Sequence, residues 1–252
     1  AAMLPESVPD ELARSGALAG GAIGAQAWAD LRERAQPALV ELCRTLGEHA
    51  RQTPRNVELD IDGSRIAGIV RDVYARANGK SALVGLRMNR AADFGDLLPF
   101  YIRYAALRLS NAAVEPIFLE QAESGAVREP ALLAAICAQD DRQLRGGLQA
   151  LLALAQRSPQ APLPFAAKTA WAWCTAKPDA RLEKARKAWR DDDGERGESN
   201  YAPGYNALFL RGADFPDGDG AVSRAFAQTC ARVAAVLDPQ RTVLLRETEP
   251  TP

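Results

Sequence analysis

The chain has 252 residues, of which 47% are hydrophobic and 25% charged, so disorder is excluded for its bulk and a globular protein with a well-buried core is expected. Its 31 basic and 32 acidic side chains give a net charge of −1. This balance excludes a global basic field for nucleic acid, so any such contact must be local. The single histidine, His49, excludes multi-histidine metal sites.

The beginning of the chain predicts an irregular segment and then a long helix. Residues 1–26 are rich in glycine and show little hydrophobic periodicity. From Trp28 to Gln52 apolar residues recur at helical spacing, and Pro37 predicts a kink or a second helix start. The first residues do not read as a natural translation start, so we expect a piece of a larger protein.

Alternating and apolar patterns then predict strands. Residues 57–62 alternate apolar and acidic side chains, as in a half-exposed strand, and Asp62-Gly63 is a hairpin-turn signal. Three further strands are predicted at 65–74, 81–88 and 116–121. A helix capped by Asp93 or Asp96 separates the last two. The order helix, three strands, helix, strand predicts an α/β fold in which three antiparallel strands and a returning fourth form one mixed sheet flanked by helices.

The second half of the chain predicts mainly helices. They begin at Pro130 and Asp140 and then cover 166–175, 179–190 and 226–237. We therefore expect an irregular N-terminal segment (1–26), a single domain (27–240) and a mobile tail (241–252). Within the domain, residues 27–125 are expected to form the sheet core and residues 126–240 a mainly helical extension.

Two groups of side chains are candidates for sites on residue type alone. Glu58, Asp60 and Asp62 project from one strand and could bind Mg²⁺, although such a row is more often the wet face of an edge strand. Three tryptophans of the helical half could stack on bases, although in alanine-rich helices they more often anchor a core. They are Trp171, Trp173 and Trp189.

Two short stretches on neighbouring predicted strands resemble the metal-binding motif of the PD-(D/E)XK nucleases, which have the restriction-endonuclease-like fold. They are Gly68-Ile69-Val70-Arg71 and Leu83-Val84-Gly85-Leu86-Arg87. In those nucleases two acids hold Mg²⁺, and a lysine two places after the second acid assists the attacking water. Here Arg71 and Gly85 occupy the acid positions and Arg87 the lysine position. The resemblance implies a degenerate site without a metal, in which two guanidinium groups suit a phosphate.

The chain as a whole resembles the C-terminal domain of RecC, the gamma subunit of exodeoxyribonuclease V (the RecBCD complex). The resemblance covers nearly all of residues 12–240. Its supporting stretches are 59–68, 96–108, 161–165, 184–189, 197–198 and 205–211. It implies a restriction-endonuclease-like core with a helical C-terminal extension.

This resemblance also implies a function. The domain would be catalytically inert, without a cofactor of its own, and would help to bind and split double-stranded DNA ends during recombinational repair. It would dock on the helicase-nuclease (beta) subunit, in a complex that includes the helicase (alpha) subunit. Arg71, Arg87 and Arg90 are the candidates for phosphate contact, with ordinary surface arginines as the simpler interpretation. The strand-splitting pin could be the hairpin at Asp62-Gly63 or the one at Ser124-Gly125.

Two other functions stay open. The chain could be an active Mg²⁺ nuclease that uses Glu58, Asp60 and Asp62 in a displaced site, or a purely structural docking domain that never touches DNA.

The four cysteines show no Cys-x-x-Cys spacing, which favours buried thiols in a reducing compartment over a zinc ribbon. No stretch approaches 18 uncharged apolar residues and no signal-peptide pattern opens the chain. We therefore expect a cytoplasmic protein without membrane contact.

Overall fold

A computed structural model describes residues 4–47, 50–88, 90–122, 124–157, 163–190, 197–200, 210, 215–216, 220–241 and 243–244. His49 lies outside this part of the chain. The contacts divide the chain into two compact units. The sheet unit comprises Ala1–Asn56, Ile69–Ala92 and Ala113–Pro130, and the hairpin–helix unit comprises Val57–Gly68, Asp93–Ala112 and Ala131–Pro252. Among the described helices, none combines the length and hydropathy that crossing a membrane requires.

The sheet unit begins with two helices, α1 (Asp10–Ser15) and α2 (Gly21–Leu46). The prediction that residues 1–26 are wholly irregular is therefore wrong, because alanines with high helix propensity start α2 before the amphipathic pattern begins. Pro37 lies inside α2. The helix also ends earlier than predicted, at Gly47, whose φ of 84° favours glycine.

A five-stranded mixed sheet forms the centre of the sheet unit. Its strands are β1 (Arg51–Gln52), β4 (Val73–Ala75), β5 (Ser81–Arg87), β6 (Val114–Gln121) and β7 (Val127–Arg128), in the order β1-β4-β5-β6-β7. Only β5 and β6 are parallel, and the remaining neighbours are antiparallel. A parallel pair needs a crossover connection, and here that connection contains a helix, as the sequence predicts. The predicted mixed sheet is confirmed.

The first two predicted strands do not join this sheet as expected. β2 (Arg55–Ile61) and β3 (Ser64–Val70) form a separate two-stranded hairpin. Its turn has positive φ at Asp62 (51°) and Gly63 (75°), the geometry of a type I′ turn. The predicted strand 65–74 is two strands, because β3 pairs with β2 whereas β4 pairs with β5. The chain changes sheets between them, at Arg71 and Asp72.

Helix α2 packs on one face of the sheet. Leu42 and Leu46 contact a cluster of apolar side chains from the two central strands, namely Ala82, Val84, Leu86, Ile117 and Leu119. Arg76 fastens the end of the helix by donating to the carbonyls of Thr45 (2.8 Å) and Leu46 (3.1 Å). Because these carbonyls have no partner within the helix, a guanidinium satisfies them and also complements the negative helix end.

The hairpin–helix unit contains most of the helices. They are α3 (Phe94–Leu109), α4 (Ala131–Cys137), α5 (Asp141–Arg157), α6 (Ala167–Thr175), α7 (Arg181–Trp189) and α8 (Ala221–Leu237), with short 3-10 turns at Pro178–Ala180 and Glu198–Asn200. Asp93 caps α3, as predicted, and forms a capping box with Asp96. The predicted helices of the second half are confirmed at these positions.

The tryptophans of this unit anchor its core. Trp171 packs edge-on against Phe94 at 5.2 Å between ring centroids, and Trp173 packs edge-on against Phe226 at 5.8 Å. Trp189 contacts Phe215 in the same way at 4.8 Å. Such edge-to-face pairs stabilise a core beyond their buried area. The interpretation of the three tryptophans as core anchors is confirmed.

Candidate nucleic-acid interface

The pairing of β4 with β5 fixes where the first degenerate position lies. Just beyond the ladder, the Val84 N–H donates to the Asp72 carbonyl at 2.8 Å. The paired residues end at Val73 and Leu83, and extending their register by two residues aligns Arg71 with Gly85. Residues directly opposite each other in an antiparallel pair have their side chains on the same face. The two positions that resemble the acid positions of the nuclease motif are therefore neighbours.

Arg87 continues this face of the sheet. It follows Gly85 by two residues on β5, and side chains two apart on a strand share a face. The parallel register of β5 and β6 sets Arg87 opposite Glu120. The face that carries the degenerate motif therefore has two arginine positions and one carboxylate.

Glu120 is a functional candidate that sequence reasoning missed. Its side chain is almost fully buried, and the residue is 4% exposed. Its Oε2 accepts a hydrogen bond from the Ala92 backbone at 2.8 Å, and its Oε1 accepts one from Arg128 Nε at 2.8 Å. The carboxylate thus fastens the segment after β5 to β6. The signal was present in the sequence, since an acid ends the apolar run of a strand expected to be buried.

A cavity of about 430 Å³ lies at the end of β5, lined by Leu86, Arg87, Met88 and Arg90. The Arg90 guanidinium also donates to the Ala91 carbonyl at 3.2 Å. A guanidinium has five N–H donors in a planar arrangement that matches phosphate oxygens. Two of the three predicted phosphate contacts, Arg87 and Arg90, therefore line one cavity, and we call Arg71, Arg87 and Arg90 the arginine end.

The three acids of the first hairpin bind separate partners. Glu58 forms an ion pair with Arg65 at 2.8 Å across the hairpin. Asp60 accepts the backbone N–H of the turn at 3.0 Å, and Asp62 accepts a hydrogen bond from Gln149 of α5. Asp62 lies in the turn and not on the strand, so the three acids do not form the expected row. We call this β2–β3 element the acidic hairpin.

No metal cluster is found at these acids. In the ranges that the structure describes, no group of three or more metal-ligating side chains occurs. Each acid of the acidic hairpin instead has a different donor, so the three oxygens do not converge on a common point.

The acidic hairpin is braced along α5. Arg145 donates to the Asp60 carbonyl at 3.0 Å, and Gln156 donates to the Ser64 hydroxyl at 3.3 Å. These contacts fix the hairpin at both of its strands. The other candidate pin follows β6, and there Gly125 has a φ of 84°. The choice between the two hairpins stays a prediction.

The fold and this face define a class of domain, a mixed α/β domain with arginines at the end of its central strands. The sequence matches the family of RecC C-terminal domains over residues 2–178. The chain belongs to that family, and is thus a domain of the RecC subunit of the RecBCD complex. No curated protein matches the chain at a significant level. The resemblance found in the sequence is therefore confirmed over residues 2–178, and its supporting stretches 184–189, 197–198 and 205–211 lie outside the match.

Proposed function

We propose that this chain is a non-catalytic, DNA-handling domain of an exodeoxyribonuclease V gamma subunit. It helps to bind and split duplex DNA ends and docks on the helicase-nuclease (beta) subunit. Its core would be a PD-(D/E)XK fold that has lost the acids. The observation that carries the proposal is the register of β4 and β5, which, extended past Val73 and Leu83, aligns Arg71 with Gly85 on the face that includes Arg87.

The chemistry of the arginine end favours phosphate over a metal. Guanidinium groups repel a divalent cation, whereas their planar donors match phosphate oxygens in pairs. The buried Glu120 holds the segment that leads away from β5, so that the backbone near Arg90 has a fixed position. A positioned arginine loses less side-chain freedom when it binds, which favours affinity.

A nearly neutral domain can serve this role in a larger assembly. Separating a base-pair step costs about 1.4 kcal/mol, and the translocating motor subunits would supply that work. The domain then needs only local phosphate contacts and a stiff hairpin as a wedge. The brace between the acidic hairpin and α5 supplies such stiffness.

The displaced magnesium site has less support from the geometry. Glu58, Asp60 and Asp62 each bind a different protein donor, so a metal would have to compete with those bonds. The purely structural docking function differs from our proposal only at the arginine end. It predicts that this end never contacts DNA.

The proposal is tested in the assembled three-subunit complex. Substitution of Arg71 and Arg87 by alanine should weaken binding to a duplex end by about tenfold or more, because each contact to a charged group contributes about 1.5–3 kcal/mol. Arg14→Ala is the matched control, since Arg14 is an exposed arginine on α1. Unaltered end binding at moderate salt would reject the proposal. Arg71→Lys with Arg87→Lys separates charge from folding, because the lysines keep the charge.

A further inference from the structure

A second surface of the sheet unit is a long groove over α2. Its volume is about 870 Å³. One face of α2 forms its floor, from Ala29 through Pro37 to Val40 and Glu41. These residues span three helical turns, or about 18 Å at 1.5 Å per residue.

Both walls of the groove are fixed by the fold. Leu4 and Glu6 of the N-terminal segment line one side, and Val127 of β7 lines the other. The Trp28 indole, 4% exposed, donates to the Pro5 carbonyl at 3.0 Å and so fastens the first wall to the helix. The groove is therefore a built feature, with walls held in place, and not a gap beside a loose terminus.

The α2 side of the groove carries both polar and apolar side chains, and its apolar part is partly open. Val40 is 47% exposed, and Pro37 beside it is exposed as well. Ala29 and Pro37 are small, so that another backbone can approach the helix closely. Two exposed apolar side chains within one turn, with a half-buried alanine about two turns before them, are the complement of an apolar stretch on a second helix packed along this face.

The charges at the rim are mainly negative. Glu6, Glu33 and Glu41 line the groove together with one cation, Arg32. Glu41 is engaged by Arg44 at 2.8 Å, and this pair lowers the pKa of the Glu41 carboxyl. In the described ranges, neither Glu6 nor Glu33 forms an ion pair. The rim thus presents carboxylates to whatever occupies the groove.

We infer that this groove docks a basic amphipathic helix of a protein partner. Apolar side chains at i, i+3 and i+4 would cover Pro37 and Val40, and lysine or arginine at the flanks would meet Glu33 and Glu6. A nucleic acid is disfavoured, because its phosphates would face the same carboxylates. An acidic helix would be repelled in the same way. The inference deepens the docking part of the proposed function.

The test measures binding of two labelled peptides to the full 252-residue chain by fluorescence anisotropy. Each peptide has about 14 residues, enough for nearly four helical turns, with leucines on one face. One peptide has lysine on its other face and the twin has glutamate. The lysine peptide should bind at least tenfold more tightly than its twin and gain helicity on binding.

Two variants and two matched controls locate the binding. Val40→Asp should weaken the lysine peptide at least tenfold, and Glu33→Lys should shift the preference of the chain toward the glutamate twin. Ile23→Asp changes an apolar side chain of α2 that is 74% exposed and does not line the groove. Glu11→Lys reverses an exposed acid of α1. Both controls should leave the affinity within twofold.

Several results would overturn the inference. These are no binding of the lysine peptide, equal binding of the two peptides, an unchanged affinity in Val40→Asp, or an equal loss in Ile23→Asp. Self-association that Val40→Asp abolishes, without peptide binding, would assign the groove to a second copy instead. Because the arginine end has no residue in the groove, the DNA-binding test and this test can fail separately.

Discussion

The arginine end and the acidic hairpin are two charged regions, and both are candidate binding sites in the sequence. In the structure their charged side chains have different surroundings. Each acid of the hairpin is used locally, by a cross-strand arginine, by the turn backbone or by α5. Two arginines of the other region instead line a cavity at the end of a central strand. A row of charged side chains therefore indicates a binding site only when its hydrogen-bond donors or acceptors face a space that a ligand can fill.

The same comparison applies to the two stretches that resemble the nuclease motif. At the arginine end, Arg71 and Gly85 stand opposite each other where the nuclease motif has acids. A carboxylate remains on this face, but it comes from β6 as Glu120, and Arg128 and the backbone of Ala92 engage it. The carboxylate thus has a structural role, whereas the role that we propose for the arginines is contact with phosphate.

The largest expected effect comes from reversing charge at the arginine end. Arg71→Glu with Arg90→Glu should lower the affinity of the assembled complex for duplex ends by about 100-fold, and should reduce the slope of log K against log salt by about 2. Reversal of an acid in the hairpin, Glu58→Arg, should leave both quantities nearly unchanged. An equal effect of the two reversals would remove the distinction between the regions.

The next effect concerns the stability that Glu120 provides. Glu120→Ala removes the acceptor of the Ala92 N–H and of Arg128, and should lower the free energy of unfolding by about 1–3 kcal/mol in urea titrations, because the Ala92 N–H loses its partner. Glu129→Ala, at an exposed acid, should change it by less than about 0.5 kcal/mol. A loss below about 1 kcal/mol for Glu120→Ala would mean that the carboxylate does not fasten this end of the sheet.

The stability of the hairpin–helix unit at alkaline pH is expected to depend on two buried tyrosines of its core. Burial raises the pKa values of the Tyr101 and Tyr104 hydroxyls above their ordinary value of 10.0. The unfolded chain releases the Tyr101 proton above about pH 10 while the folded chain keeps it, so the free energy of unfolding should fall there by about 1 kcal/mol per pH unit, and Tyr104 should add to the loss in the same direction.

The alkaline prediction is checked by urea titrations at pH 8 and pH 11. Tyr104→Phe should show a smaller loss between the two pH values than the natural chain, because one titrating group is gone. A stability that is flat above pH 10 would contradict the burial of these hydroxyls. Tyr74→Phe is the control, since Tyr74 is only half-buried.

The smallest effects belong to the acidic hairpin. Asp60→Ala removes the acceptor of one turn N–H and should cost about 1 kcal/mol of stability. It should not alter DNA cleavage, since the purified chain is expected not to digest linear DNA with Mg²⁺. Digestion by the natural chain that is lost in Asp60→Ala would establish the displaced nuclease site and refute the inert domain.

The sequence was sufficient for those features that depend on local patterns. An aspartate cap before α3 (Asp93 or Asp96), the fourth strand that returns after a helix and the tryptophan anchors follow from spacing and residue type. The split of the predicted strand 65–74 did not, because β3 and β4 have the same local pattern and differ only in their pairing partners. Glu120 was missed for the same reason, since its importance comes from Ala92 and Arg128, which are distant in the sequence.

The most direct test of the central claim is photo-crosslinking of the assembled complex to a forked DNA end. A photoreactive amino acid would replace Arg90 of the arginine end in one sample and Arg14 of α1 in another. Our account predicts a crosslink to DNA from position 90 and none from position 14. A complex that binds the fork normally but yields no crosslink from position 90 would contradict it, and would favour a domain that only docks.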